Sequence, residues 1–305
     1  MTTQRIIDFM GHRKLAAAVS ILLIVGSLLS LSIKGVTLGL DFTGGTQIEL
    51  GYQQPADLEA IRSQLAAAKF DNPVVVHFGS ESDVLIRLQG KPEAGLSDDV
   101  LKALGNGDNG VELRRVDYVG PQVGDELRED GGLGMLAALA IVMLYIAIRF
   151  QYKFSLGAVA ALVHDVIITL GFFSLTGLEF DLTVLAAVLA VVGYSLNDTI
   201  VVSDRIRENF RLLRKADAFS VINESLTQTL GRTIVTSLTT LLVLLALYLF
   251  GGELIHNFAV ALIVGVVIGT YSSIYVAANI LLSLGMTRED LLPPVREGAE
   301  FDELP

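Results

Sequence analysis

The stretch Glu179–Asn209 reads EFDLTVLAAVLAVVGYSLNDTIVVSDRIREN and limits what this chain can fold into. Its 22 residues Leu182–Ser203 are long enough to cross a bilayer as a helix, which takes about 20 apolar residues. The run carries a single ionisable group, Asp198, with Asn197 beside it. On insertion scales a carboxylate at the centre of a spanning helix costs roughly 2.5–3.5 kcal/mol, so such a group marks a functional site by default. The plainer alternative is a carboxylate that reaches the nearby headgroups or pairs for structure.

Five more apolar runs accompany it: Leu15–Ile33, Gly132–Ile148, Ser155–Leu175, Ile234–Phe250 and Ile255–Leu284. Hydrophobic residues make up 52% of the chain, which places it among integral membrane proteins. The first run is too long for the apolar region of a signal peptide and ends in SLSIKG, so it is expected to stay as an uncleaved helix. Cysteine is absent, which excludes disulfides, zinc–thiolate sites and a cysteine nucleophile.

Loop charge gives an orientation. With residues 1–14 in the cytoplasm, the inner segments hold 12 Lys and Arg, and the outer turns Thr176–Asp181 and Gly251–Glu253 hold none. Both termini, the second being the tail 285–305, are then cytoplasmic. The basic stretch Asp204–Gly231 is expected as an amphipathic helix at the inner surface.

Residues 35–131 differ in character and are expected outside. With Lys34, they carry 17 Asp and Glu against nine Lys and Arg. Strands are predicted over Gln47–Tyr52, Pro73–Phe78, Val84–Leu88 and Val111–Val119, with helices over Ala56–Lys69 and Ser97–Leu104, the second capped by Ser97. This β-α-β-β-α-β order is that of a ferredoxin-like α+β domain. The expected architecture is a six-helix membrane bundle with this domain inserted between spans one and two.

Small residues recur on two spans: Ala186, Ala190, Gly193 and Asn197 on the fourth, and Ala261, Gly265, Gly269, Ser273 and Ala277 on the sixth. Such stripes predict close helix packing. Two further ionisable residues fall at membrane depth. Asp165, beside His164, lies near the middle of the third span, where it either relays protons or makes a structural hydrogen bond. Arg232 opens the fifth span at the depth of Asp198, where it either pairs with that acid or anchors its own helix. Burial raises the pKa of a carboxylate and a nearby guanidinium lowers it, so an Asp198–Arg232 distance that changes would couple protonation to helix movement. Gly44 and Gly45 allow a tight turn between the first span and the first strand, with Asp41 placed to cap that turn.

GLDFTGGT (Gly39–Thr46), VGPQVGDEL (Val119–Leu127), HDV (His164–Val166), the long fourth-span block and GRTIVTSLTTL (Gly231–Leu241) together resemble the SecF members of the SecD/SecF family of bacterial protein-export membrane proteins. Ser203 departs from the Phe that the family usually has before DRIREN. The resemblance implies half of a resistance-nodulation-division (RND) transporter in the inner membrane. SecD supplies the other six spans, SecYEG is the channel served, and YajC and YidC are neighbours. It also implies use of the proton motive force to draw a translocating unfolded polypeptide outward, with Asp198 and Arg232 as essential membrane charges. Protons are the coupling ion. No cofactor, metal or nucleic acid is implied, and lipid is the surrounding partner. Three other readings remain at this point: an RND exporter of lipid or small molecules, a passive translocon scaffold, and an intramembrane aspartyl protease using Asp165 and Asp198. The last lacks the GxGD signature of such enzymes, and the chain is expected not to be an enzyme.

Overall fold

The structure, a computed structural model, describes residues 6–70, 73–78, 80–88, 95–105, 110–213, 215–287 and 289–291. Most of the C-terminal tail therefore lies outside the described residues. The elements in chain order are helix α1 (Arg13–Ile33), short helix α2 (Leu40–Thr43), strand β1 (Gly45–Tyr52), helix α3 (Leu58–Ala67), strands β2 (Val74–Phe78) and β3 (Ser80–Leu88), helix α4 (Leu96–Ala103) and strand β4 (Val111–Val119). Helices α5 (Pro121–Arg149), α6 (Tyr152–Thr176), α7 (Leu182–Leu212), α8 (Ala218–Phe250) and α9 (Glu253–Ser272) follow. A π-turn (Ser273–Ala277) then leads into α10 (Ala278–Ser283). Among the described residues, six helical stretches are long and apolar enough to cross a membrane.

The four strands form one antiparallel sheet in the order β2-β3-β1-β4. Ile48, Leu50, Val84 and Ile86 of the central strands pack with Ile61 and Leu65 of α3 and Val100 of α4 in a separate apolar core. Asp57 caps α3 by accepting from Glu59 N and Ala60 N. The helix expected from Ser97 instead starts at Leu96, and Gly95, at φ +95°, stands at its N-cap without a side-chain bond. The strand expected from Val84 begins at Ser80, so the hairpin turn is shorter than the polar stretch 79–83 suggested.

In the bundle, α6, α7 and α9 form the inner layer, with α1 lying on α6 and α8 on α7 and α9. The sixth-span stripe is buried, with Ala277 against Gly157 of α6 and Gly265 and Gly269 in the seam between α9 and α7. There a side chain at Gly265 would stand 2.1 Å from Val191 Cγ2, and one at Gly269 would stand 3.0 Å from Ser195 Cβ. The fourth-span stripe behaves otherwise. Ala186, Ala190, Gly193 and Asn197 are exposed, and no atom approaches within 4 Å of the place a side chain at Gly193 would take. The reason is rotational. The face of α7 that meets its neighbours carries Val188, Val191, Val192 and Ser195, and the small residues point the other way.

The basic stretch Asp204–Gly231 is likewise not a surface helix. It consists of the last turns of α7 and the first turns of α8, where Asp217 caps α8 by accepting from Ser220 N. Ile206, Phe210, Val221, Ile222 and Leu226 bury its apolar side in the core at that end. The N-terminal segment closes the same end: Met10 N donates to Asn223 Oδ1, and Asn223 Nδ2 donates to Asp8 Oδ1. Past α10, Lys153 Nζ donates to Asp290 Oδ2 at 2.7 Å.

Two predictions test this architecture. Gly265→Val forces a branched side chain into Val191, and overpacking of this kind costs about 1–3 kcal/mol. The midpoint of thermal unfolding of the detergent-solubilised protein should fall, whereas Gly193→Val should leave it unchanged. The second concerns Asp290, whose carboxyl is held below the usual carboxylate range, first by the Lys153 hydrogen bond and then by Thr287. Its contribution is present above the ordinary aspartate value of about 3.9 and is lost as pH falls through the lowered value. Proteolysis after Met286 should therefore accelerate in acid below about pH 4, and Asp290→Asn should be cleaved faster even at neutral pH.

Candidate functional site: two buried carboxylates in one helix seam

Asp198 sits on the inner face of α7 and is 8% exposed. Its Oδ1 accepts from Thr233 Oγ1 of α8 at 2.7 Å, and its Oδ2 accepts from Ser273 Oγ at 2.5 Å. Asp165 of α6 is 1% exposed. Its Oδ2 accepts from Ser195 Oγ of α7 at 2.5 Å and from Ser272 Oγ of α9 at 2.7 Å. Its Oδ1 lies 2.8 Å from His164 Nδ1, and with the carboxylate ionised that nitrogen carries the proton. His164 Nε2 is buried without a hydrogen-bond partner, and the ring stacks on Tyr271. Asp198 thus has two hydroxyl donors, and Asp165 has two hydroxyl donors and the His164 ring; among the described residues no Lys or Arg is bonded to either acid. Hydrogen bonds to a charged group contribute about 1.5–3 kcal/mol each, so two or three donors offset much of the burial penalty without fixing the charge.

Arg232 does not pair with Asp198. Among the described residues no ion pair within 4 Å joins them, and the acid meets Thr233, the next residue. On a helix, successive residues are turned about 100° apart. With Thr233 inward and buried, Arg232 faces out of the seam. It lines a cleft of about 400 Å³ between α7 and α8 together with Asp204, Arg205, Glu208, Gln228 and Thr229. Val201 of α7 completes its lining, and Asp198 is not among the residues that line it. Asn197 is exposed on the opposite side of α7 from Val191 and Ser195, and no hydrogen bond of its side chain is seen. Sequence reasoning therefore found both acids but missed their donors Thr233, Ser195, Ser272 and Ser273. The signal available was the pair Ser272–Ser273 inside an apolar helix.

At the other end, three of the sequence motifs meet in one collar. Asp41 does not cap its own turn; its Oδ2 accepts from Leu182 N, at the start of α7. Gly39 N donates to Phe180 O and Phe180 N donates to Thr37 O, making a short parallel bridge. Gly44 is at φ +69°, and a side chain there would stand 2.9 Å from Pro121 Cα. One at Gly124 would stand 2.9 Å from Gly44 N. Gly45, at φ +141°, then enters β1. The glycine pair is a structural turn, and the helix that carries Asp198 is tied at its N-terminal end to the strand domain. Arg87 of β3 adds an ion pair to Glu179.

This geometry can be compared with known proteins. The model of the SecD/SecF protein-export membrane protein C-terminal region matches residues 99–287, and that of the SecD/SecF GG motif matches residues 29–56. The chain belongs to the SecD/SecF family. The GG-motif match contains Gly44 and Gly45, and the C-terminal match contains both buried acids. Among SecD/SecF relatives, protein translocase subunit SecF of Vibrio alginolyticus is 50% identical over 100% of this chain and 99% of its own length. SecF of Pseudomonas aeruginosa is 55% identical over 94% of each chain. SecDF from Thermus thermophilus, a translocon-associated membrane protein, superposes with a TM-score of 0.82 at 37% identity. That match covers 93% of this chain but only 39% of the SecDF chain, so this chain spans well under half of that protein. Membership of this membrane-protein family and the six apolar helices make it a multi-pass membrane protein.

The collar gives a prediction. Asp41→Asn removes the charge at the start of α7, an interaction worth about 0.3–1 kcal/mol. Amide exchange at Leu182–Val184 should speed up in the membrane-reconstituted protein, with no change around Asp198.

Proposed function

We propose that this chain is a SecF-type subunit that joins SecD, in the inner membrane, to use the proton motive force in protein translocation through SecYEG. The observation that carries this reading is Asp198. It is buried and held by two hydroxyls, with no Lys or Arg bonded to it among the described residues, and Arg232, one residue from its partner Thr233, lines a charged cleft between the same two helices. A carboxylate so placed is stable either ionised, with Thr233 and Ser273 donating to it, or protonated, with those hydroxyls turned elsewhere. Arg232, permanently charged, supplies a field beside the cleft that favours the ionised form when the two draw closer. Protons arrive along the cleft; no cofactor takes part, and the chain is a transport subunit rather than an enzyme.

The relatives' names support the Sec assignment, and the length of SecDF supports SecD as the missing half of an RND-type architecture. The uncovered small-residue face of α7, with Asn197, supports a membrane partner there. We assign the antiparallel β2-β3-β1-β4 domain to the ferredoxin-like class on its strand order, and to the outer side on the distribution of loop charge. There it works on the translocating unfolded polypeptide. Both termini are then cytoplasmic, YajC and YidC are neighbours in the same assembly, and the domain limits are 35–131 for the outer part and 132–284 for spans two to six. Asp165 belongs to the same proton pathway.

Chromosomal Asp198→Asn and Arg232→Ala, each assayed for export of a secreted reporter in cells, test the reading. Export should fall to the level of a strain lacking the subunit, while the amount of assembled complex stays normal. Unchanged export in both variants would leave only a scaffold role.

A further inference from the structure

The two acids are held by consecutive residues. Ser272 donates to Asp165 of α6, and Ser273 donates to Asp198 of α7. Both serines are fully buried. Each hydroxyl has one hydrogen, and each lies within reach of a second acceptor on its own helix: Gly269 O stands 3.1 Å from Ser272 Oγ, and Thr270 O stands 3.0 Å from Ser273 Oγ. A serine can therefore serve the neighbouring carboxylate or its own backbone, but not both. Helical regularity breaks at this same place. Residues Ser273–Ala277 form a π-turn, whose extra residue per turn loosens the carbonyl ladder. Serine back-bonding bends helices, so the hydroxyl choice and the helix geometry are linked. The π-turn also presses on α6, where a side chain at Gly157 would stand 3.1 Å from Ala277 O.

We propose that Ser272 and Ser273 are positioning residues that couple the two acids, so that taking up a proton at Asp198 favours taking up a second at the His164–Asp165 pair. The inference rests on the reading that Asp198 changes its protonation. When Asp198 gains a proton, its need for the Ser273 hydrogen ends, and that hydrogen turns to Thr270 O. The turn tightens, Ser272 follows onto Gly269 O, and Asp165 loses a donor. An ionised carboxylate with one donor fewer binds its proton more tightly. The other titratable and charged groups around the pair are few. His164 lies on α6 itself and Tyr271 on α9. Tyr194 of α7 bonds Ser237, and Tyr275 lies in the π-turn. Arg232 on α8 faces the cleft, and α1 has no ionisable residue between Lys14 and Lys34.

The sign of the effect separates this coupling from a simple electric field. Removing the charge of Asp198 takes away a like charge, which by itself lowers the protonation midpoint of Asp165. The serine coupling raises it. The test is a pH titration by infrared difference spectroscopy of the full chain, co-purified with its membrane partner in lipid nanodiscs. The Asp165 carboxyl band is identified by its loss in Asp165→Asn. Asp198→Asn should move the midpoint of that band upward by about one pH unit. In the Ser272→Ala background, and independently in the Ser273→Ala background, the same change should move it downward or leave it in place. A downward or absent shift in the otherwise native chain overturns the coupling, as does an upward shift that persists in both serine variants. These outcomes are distinct from failure of the transport reading, which is decided by export in cells carrying Asp198→Asn alone.

Discussion

Everything in this bundle depends on keeping two carboxylates inside a low-dielectric seam with no Lys or Arg bonded to either among the described residues. The seam achieves this with hydroxyls. Ser195, Ser272, Ser273 and Thr233 come from α7, α9, the π-turn and α8, and they reach their acids because those helices approach closely. Close approach in turn requires Gly265 and Gly269, where any side chain would meet Val191 or Ser195. Small residues and buried acids are thus one requirement seen twice. Lipid gives helices no hydrophobic reason to associate, so packing and interhelical hydrogen bonds must do it.

The absence of a direct ion pair at Asp198 changes how the site is understood. A carboxylate locked to a guanidinium would stay ionised over the whole working range of pH. One held by hydroxyls has two accessible states, because a hydroxyl can donate to an ionised oxygen or turn away from a protonated one. Arg232 lines the neighbouring cleft between α7 and α8 instead of bonding the acid.

The collar at the start of α7 joins this seam to the sheet domain. Leu182 N, the first amide of α7, is bonded to Asp41, and Asp41 is three residues from the glycine pair that opens β1. From Leu182 to Asp198 the chain is one uninterrupted helix, about 24 Å long at 1.5 Å per residue. That one helix connects the strand domain at one end to the buried Asp198 at the other.

Much of this was legible in the order of residues alone. Length and apolarity define six spans, because a bilayer accepts few alternatives to a helix of about 20 residues. Alternation and turn residues define the β-α-β-β-α-β domain, with errors of a few residues at the ends of elements such as β3 and α4. Asp198 and Asp165 stood out because charge is rare at membrane depth. Rotation about each helix axis was not legible. A stripe of Ala186, Ala190 and Gly193 looks the same in sequence whether it faces a neighbour or points away, and so does the choice between Arg232 and Thr233 as the residue that meets Asp198. Those choices follow from the summed packing of α6, α7, α8 and α9, a property no single segment carries. For the same reason Asp41 reached the start of α7, 141 residues on, instead of its own turn. Sequence decides which groups must be buried; only the assembled bundle decides which groups they meet.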